Sequence, residues 1–194
     1  KVGAKVRQPS LADGGSEGDY VAELLEWALI SLPGPNEVDA AIARLTIDAR
    51  PAQLELGEYR AAADPVLGMA VQKSGRTSGV TQGKVAYTDL TVRVGYPFGE
   101  ALFTGQVGLE PAMLQPGDSG SAIVSEGRAV ALGFAGGPVL SIATPILKVL
   151  ARFGLSLSPP GAPIEQALTS ILDKVLVVWG FDNRAKQWSF YDPK

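Results

Sequence analysis

The spacing of turn residues between positions 65 and 150 limits the fold more than any other feature of this sequence. Short apolar runs at 66–73 (VLGMAVQK), 80–87, 91–94, 101–107 and 139–143 are separated by breaks rich in Gly, Pro and Ser. Residues 121–125 and 128–134 form a further pair about Glu126-Gly127, the pattern of a hairpin. Short strands at this spacing predict a closed antiparallel barrel. Composition points the same way. Of 194 residues, 23 are Gly and 14 are Pro, and only 19% are charged, which disfavours a helical bundle. One helix is expected after the last strand. Thr144 serves as its N-cap, Pro145 takes the first helical position, and Gly154 stops it. Ile146, Val149, Leu150 and Phe153 then recur on one face. The uncharged run 129–147 approaches the length of a membrane span. Gly133, Gly136, Gly137, Pro138 and Pro145 divide it into strand, loop and strand, so no membrane insertion is expected.

Residues 1–60 are less regular. Positions 4–8 alternate as a short strand, and 11–19 form a Gly-rich acidic loop. Positions 20–32 carry apolar residues at both the strand and the helix period before Pro33-Gly34-Pro35-Asn36 breaks them. Positions 38–47 and 52–58 read as strands. Beyond the barrel, 158–163 is a stiff Pro-rich linker and 164–173 a short helical segment. Positions 174–181 and 187–191 read as a hairpin about Asp182-Asn183-Arg184-Ala185. Its alternating Trp179, Phe181, Trp188 and Phe190 suit a packed face better than a sugar or partner site. A lone hairpin is barely stable, so this tail either packs on the barrel or begins an appended module.

Charge and composition exclude several function classes. A net charge of −3 without a basic run argues against nucleic acid and acidic membranes as partners. With no Cys there are no disulfides, thiolate metal sites or Cys nucleophile. The absence of His matters most, because it removes imidazole as metal ligand, proton shuttle and catalytic base. Asp13, Glu17 and Asp19 offer oxygens to a calcium ion, but their spacing fits no known calcium loop. No metal or other cofactor is expected.

The strongest chemical signal is Gly117-Asp118-Ser119-Gly120-Ser121. A Ser that attacks a carbonyl needs two backbone N–H groups aimed at the developing oxyanion. Flanking glycines allow a tight turn to direct the N–H groups of Gly117 and Ser119 to one point. The same five residues also suit a plain turn between strands. Their context discriminates. The loop follows several strands and precedes the apolar hairpin, the Gly-rich segment Phe134-Ala135-Gly136-Gly137, one more strand and the Pro-started helix.

This order resembles the second barrel of the chymotrypsin-like serine proteases, and 73–80 (KSGRTSGV) resembles its opening hairpin in a bacterial, cysteine-free branch. The resemblance implies an all-β fold of two six-stranded antiparallel barrels with a C-terminal helix. It implies Ser119 as nucleophile and the N–H groups of Gly117 and Ser119 as oxyanion hole. Phe134, Ala135 and Gly136 then bind substrate backbone, and Met113 floors the primary pocket, favouring apolar or small side chains. The segment 38–43 (VDAAIA) resembles the family's Asp-bearing strand, which makes Asp39 the orienting acid. The family's base is a His preceding that Asp, and here none exists. Residues 1–60 also offer about four strands, too few for a six-stranded barrel.

These two shortfalls together lead to the expectation that the chain is the C-terminal part of a longer protein. On that expectation residues 1–62 are the remainder of the first barrel. Residues 63–157 are the second barrel with its helix, 158–163 the linker, and 164–194 the start of an appended module. The expected function is that of a serine endopeptidase acting on polypeptides, outside the cell or at its surface. The base comes from upstream of Lys1 or from another chain, so the isolated chain is inactive. Two alternatives remain open. Lys73, Lys84 or Lys148 could replace His in a Ser–Lys dyad, although each suits a solvated surface position better. Alternatively, the protein is a catalytically dead binding or structural module on the same fold.

Overall fold

The computed structural model describes residues 1–48, 52–59, 61–155 and 157, and the backbone of 175–178, 181–182 and 187–188. The linker at 158–163 and the segment at 164–173 lie outside the described residues.

Six strands close into a barrel: β7 (Ala70–Gly75), β8 (Gly79–Tyr96), β9 (Gly99–Glu110), β12 (Ser141–Pro145), β11 (Arg128–Gly136) and β10 (Ala122–Ser125). The ring is sealed because β10 pairs with both β11 and β7. Closure leaves none of these strands with an open edge in the ring. Alternation fills the interior with Val71, Val85, Val107, Leu109, Ile123 and Val130, and Met113 joins them from the β9–β10 loop. A short strand, β6 (Ala61–Ala62), runs parallel to β11 outside the ring.

The strands expected at 80–87 and 91–94 are one strand of 18 residues, β8. Its pairing with β9 shifts register between Val85 and Tyr87, Tyr87 and Leu90, and Leu90 and Val92. Bulges bend a strand without ending its ladder, so the break read at 88–90, which begins with the polar Thr88 and Asp89, is a bend. The bent β8–β9 hairpin extends to a tip at Tyr96–Gly99.

The N-terminal part forms a second sheet in the order β1 (Lys5–Arg7), β2 (Tyr20–Trp27), β3 (Ala41–Leu45), β13 (Val175–Val178). Residues 20–27 are thus strand, and the Pro-rich break falls outside it. The tail strand β13 lies antiparallel on β3, with Val178 opposite Ala41. The remaining tail strands, Phe181–Asp182 and Gln187–Trp188, pair with each other. A small pair, β4 (Ala52–Gln53) and β5 (Gly57–Glu58), completes the list.

The helix α1 (Ile146–Arg152) follows β12 directly. Thr144 does not cap it. Its hydroxyl is buried and donates to Gln106 Oε1 at 2.8 Å, and Pro145 occupies the cap position. Thr144 lies inside β12, one residue before the cap, so its hydroxyl serves the barrel interior and accepts no helix N–H. The apolar face of α1 packs Ile146, Val149 and Leu150 against Leu132 and Ala129 of the barrel and against Ala28, Val38 and Ala40. This cluster docks the first sheet on the barrel, and it fixes the segment that carries Asp39. Among the described residues, no helix is long and apolar enough to cross a membrane.

Candidate active site

Two barrel loops and one segment of the first sheet converge here. The loop between β9 and β10 carries Gly117, Asp118 and Ser119. Asp118 is buried, and its side chain is the anchor of the loop. Oδ1 accepts the backbone N–H groups of Thr77 (2.7 Å) and Ser78 (3.0 Å). Oδ2 accepts the Ser78 hydroxyl (2.5 Å), the Gln115 N–H (2.9 Å) and the Lys73 ammonium (3.0 Å). Lys73 is itself fully buried, and it also donates to Gly79 C=O at 3.0 Å and to the Ser78 hydroxyl. Burial alone would raise the Asp118 pKa, but the Ser78 hydroxyl, the Gln115 and Ser78 N–H groups and Lys73 outweigh it and hold the carboxyl below its ordinary value. The β7–β8 turn and the Ser119 loop are therefore tied by one buried ion pair.

With Asp118 inward, the loop backbone is set. The N–H groups of Asp118, Gly120 and Ser121 bond Gln115, Gly133 and Asp118 carbonyls respectively. The N–H groups of Gly117 and Ser119 have no partner among the described residues. Gly117 has φ of 101°, and a Cβ there would lie 2.3 Å from Thr77 Oγ1. Only glycine fits both that dihedral and that space. Ser119 is half-buried, and its hydroxyl donates to Phe134 C=O at 3.4 Å.

Asp39 reaches the same region from the first sheet. Val38 and Ala40 point into the α1 cluster, so alternation turns Asp39 the other way. It is 8% exposed and lines a cavity of about 1100 Å³ with Phe134, Ala135, Gly136, Trp27 and Tyr96. Phe134 is the shared element: its carbonyl takes the Ser119 hydroxyl and its residue walls the Asp39 cavity. Asn36 staples this segment to β9. Its N–H and side-chain Nδ2 both donate to Leu102 C=O, at 2.8 and 3.0 Å, and its carbonyl accepts Thr104 N–H at 2.9 Å.

The structure thus groups Asp39, Phe134, Ala135 and Gly136 around one cavity, with Ser119 joined to it through Phe134. Met113 sits apart from the cavity wall. It is 1% exposed and packs in the barrel core, with its N–H on Ser141 Oγ at 2.8 Å. Of the candidate lysine bases, Lys73 is buried and committed to Asp118, the reverse of a solvated surface position. The signal was present in the alternation: Met69, Val71 and Lys73 fall on one face of a strand, and Val71 is core. In the acidic loop, Asp13 pairs with Arg76 and Glu17 with Arg7. Among the described residues, no cluster of three or more His, Cys, Asp or Glu could hold a metal.

Sequence reasoning missed Tyr96. Its hydroxyl donates to Asp39 Oδ2 at 2.6 Å. Burial, then the Asp39 charge and the bond to it, push the hydroxyl well above its ordinary ionisation range. No sequence pattern marks it, because the contact joins a hairpin tip to a segment 57 residues away.

No family model matches the chain, and no curated protein matches it. Solved structures do. A glutamic acid-specific serine protease that uses a histidine triad in substrate binding is 26% identical, with a TM-score of 0.56 over 75% of this chain and 76% of that one. An alpha-lytic protease homolog, N4, is 29% identical, with a TM-score of 0.50 over 73% of this chain and 74% of that one. The Nocardiopsis protease NAPase is 19% identical, with a TM-score of 0.59 over 82% of this chain and 80% of that one. A histidine triad has no counterpart here, since this sequence contains no His. With its closed six-stranded barrel, docked first sheet and terminal helix, the chain has the chymotrypsin-like fold and is recognised as similar to the bacterial chymotrypsin-like serine proteases.

Proposed function

We propose that this chain carries the nucleophile and the orienting acid of a serine endopeptidase, and that the base, a His, comes from outside these 194 residues. It arrives from upstream of Lys1 or from another chain. The observation that carries the reading is the Ser119 loop. Among the described residues, two N–H groups, of Gly117 and Ser119, have no partner, on a serine-bearing loop held by a buried ion pair. Preorganised donors of this kind stabilise a developing oxyanion at no reorganisation cost during reaction.

In the proposed mechanism, Ser119 Oγ attacks the scissile carbonyl carbon and its proton passes to the incoming imidazole. The carbonyl oxygen becomes an oxyanion held by the two N–H groups. The imidazolium, stabilised by Asp39, returns the proton to the leaving amine as the C–N bond breaks. Water then cleaves the acyl-enzyme by the same steps. No cofactor enters. The substrate is a polypeptide, and Leu29, Val92, Val139 and Leu140 on the cavity wall support an apolar side-chain preference. The proposed place of action is outside the cell or at its surface.

One observation favours a second reading, a non-catalytic binding module on this fold. The Tyr96 hydroxyl already occupies an oxygen of Asp39. The test joins the chain to the segment encoded upstream and measures hydrolysis of a peptide library. The joined protein should cleave, Ser119→Ala should abolish cleavage, and Asp39→Asn should lower kcat by about 10⁴. A joined protein that binds peptides without cutting them establishes the binding module instead.

A further inference from the structure

Asp39 is a buried carboxylate at the seam between the first sheet and the barrel. A carboxylate there can serve a catalytic base only if its oxygens hold a fixed direction. Its own segment fixes the backbone through Val38, Ala40 and Asn36. The side chain is held by the Tyr96 hydroxyl, from the opposite side of the seam, at 2.6 Å. Tyr96 in turn is clamped. Its ring stacks on Phe98 with centroids 5.1 Å apart and lies 6.3 Å from Phe103, which lies 5.1 Å from Phe134. Phe103 and Phe134 are both fully buried. Phe134 is also the residue whose carbonyl takes the Ser119 hydroxyl. A continuous line of packed rings therefore runs from the acid to the nucleophile.

We infer that Tyr96 is a positioning residue for Asp39, the polar end of a ring line through Phe103 and Phe134 that fixes the acid relative to Ser119. This rests on the reading of Asp39 as the orienting acid. The inference goes beyond that reading in placing the control of Asp39 on the far barrel. The β8–β9 hairpin, whose bent tip lies at Tyr96–Gly99, thereby becomes part of the catalytic architecture. Arg93 is the other charged side chain on the cavity wall. It offers a second influence on Asp39, so the test must separate the two.

The test uses Tyr96→Phe, which deletes one hydroxyl and keeps the ring stack, with Arg93→Gln as the comparison. Carboxyl ¹³C resonances of Asp39 are followed against pH in the 194-residue chain, and the Tyr96→Phe crystal structure is determined. Losing a donor to the charged form disfavours that form. Asp39 should titrate about tenfold less acidic in Tyr96→Phe, and its carboxylate should rotate from its present direction. Arg93→Gln should leave the rotamer in place. An unmoved carboxylate with an unchanged titration in Tyr96→Phe overturns the inference. Neither readout needs activity, so a joined protein that fails to cleave peptides refutes the protease reading and leaves this result to stand or fall separately. In a joined protein that does cleave, Tyr96→Phe should lower kcat about tenfold with KM nearly unchanged. A rise in KM alone would mean that Tyr96 only lines the cavity.

Discussion

Replacing Lys73 by Met is the sharpest perturbation of the Ser119 loop. Lys73 and Asp118 are both fully buried, and their charged atoms are 3.0 Å apart. Removing one partner of a buried pair leaves the other charge uncompensated, at a cost of about 3–5 kcal/mol. Here four other donors remain on Asp118, from Thr77, Ser78 twice and Gln115. They keep the carboxylate solvated by the protein, which places the expected loss near the low end, about 3 kcal/mol. For a chain of this size that is a fall in Tm of about 6–12 °C. A pH effect accompanies it. The Asp118 pKa is held below its ordinary 3.8, so its stabilisation is full above that pH and is lost as pH falls through the folded-state value. Lys73 is one of the groups that lower it, so Lys73→Met should move the acid transition to higher pH. Urea unfolding at several pH values measures both effects. Asp118→Asn should then cost less in the Lys73→Met background than in the wild type, because the partner charge is already gone. A loss below about 1 kcal/mol with an unchanged acid limb would refute the claim that this pair anchors the loop.

Two further outcomes follow from the same geometry. Gly117→Ala puts a Cβ at φ 101° and 2.3 Å from Thr77 Oγ1, so it should cost about 1–3 kcal/mol in urea unfolding and reduce Ser119 reactivity by displacing the loop. Asn36→Ala removes side-chain bonds to Ser31 N–H, Ser31 C=O and Leu102 C=O, while Leu102 C=O keeps the residue-36 backbone N–H. It should lower stability by about 1 kcal/mol and speed hydrogen exchange in β3 more than in the barrel, which amide exchange read by mass spectrometry resolves.

The barrel was legible because closed sheets impose a strict period on their strands. Apolar alternation, Gly-bearing turns and the Glu126-Gly127 hairpin are local signals, and the observed register of Ser125 with Arg128 follows from them. The polar pair Thr88-Asp89 misled because a bulge and a turn use the same residues, and only pairing partners distinguish them. Thr144 misled for a related reason: its hydroxyl could accept from the helix N–H groups or donate to a barrel side chain, and the side chain of Gln106 on β9 decided its role. Ser119, Gly117 and Phe134 were readable as a motif, since their positions along one loop and one strand carry the geometry. Lys73 was half legible, as a charge on an apolar face without its partner 45 residues away. Tyr96 was not legible, because the bond to Asp39 exists only after the first sheet docks on the barrel. The pairing of Val175–Val178 with β3 was equally hidden: an alternating apolar strand at 174–181 specifies a sheet edge but not which one.

The central claim is that Ser119 is a competent nucleophile lacking only a base. The direct measurement is the rate at which a fluorophosphonate modifies the 194-residue chain, followed by intact mass, with and without free imidazole in solution. Without a base, oxyanion binding alone leaves about 10³-fold residual catalysis, so labelling should be slow. Imidazole that enters the cavity beside Asp39 should accelerate it in proportion to its concentration, place the adduct on Ser119, and do nothing in Ser119→Ala. Rapid labelling without imidazole would show that a base lies within these residues. A slow rate that imidazole leaves unchanged would show that Ser119 is not poised for attack, and would contradict the account.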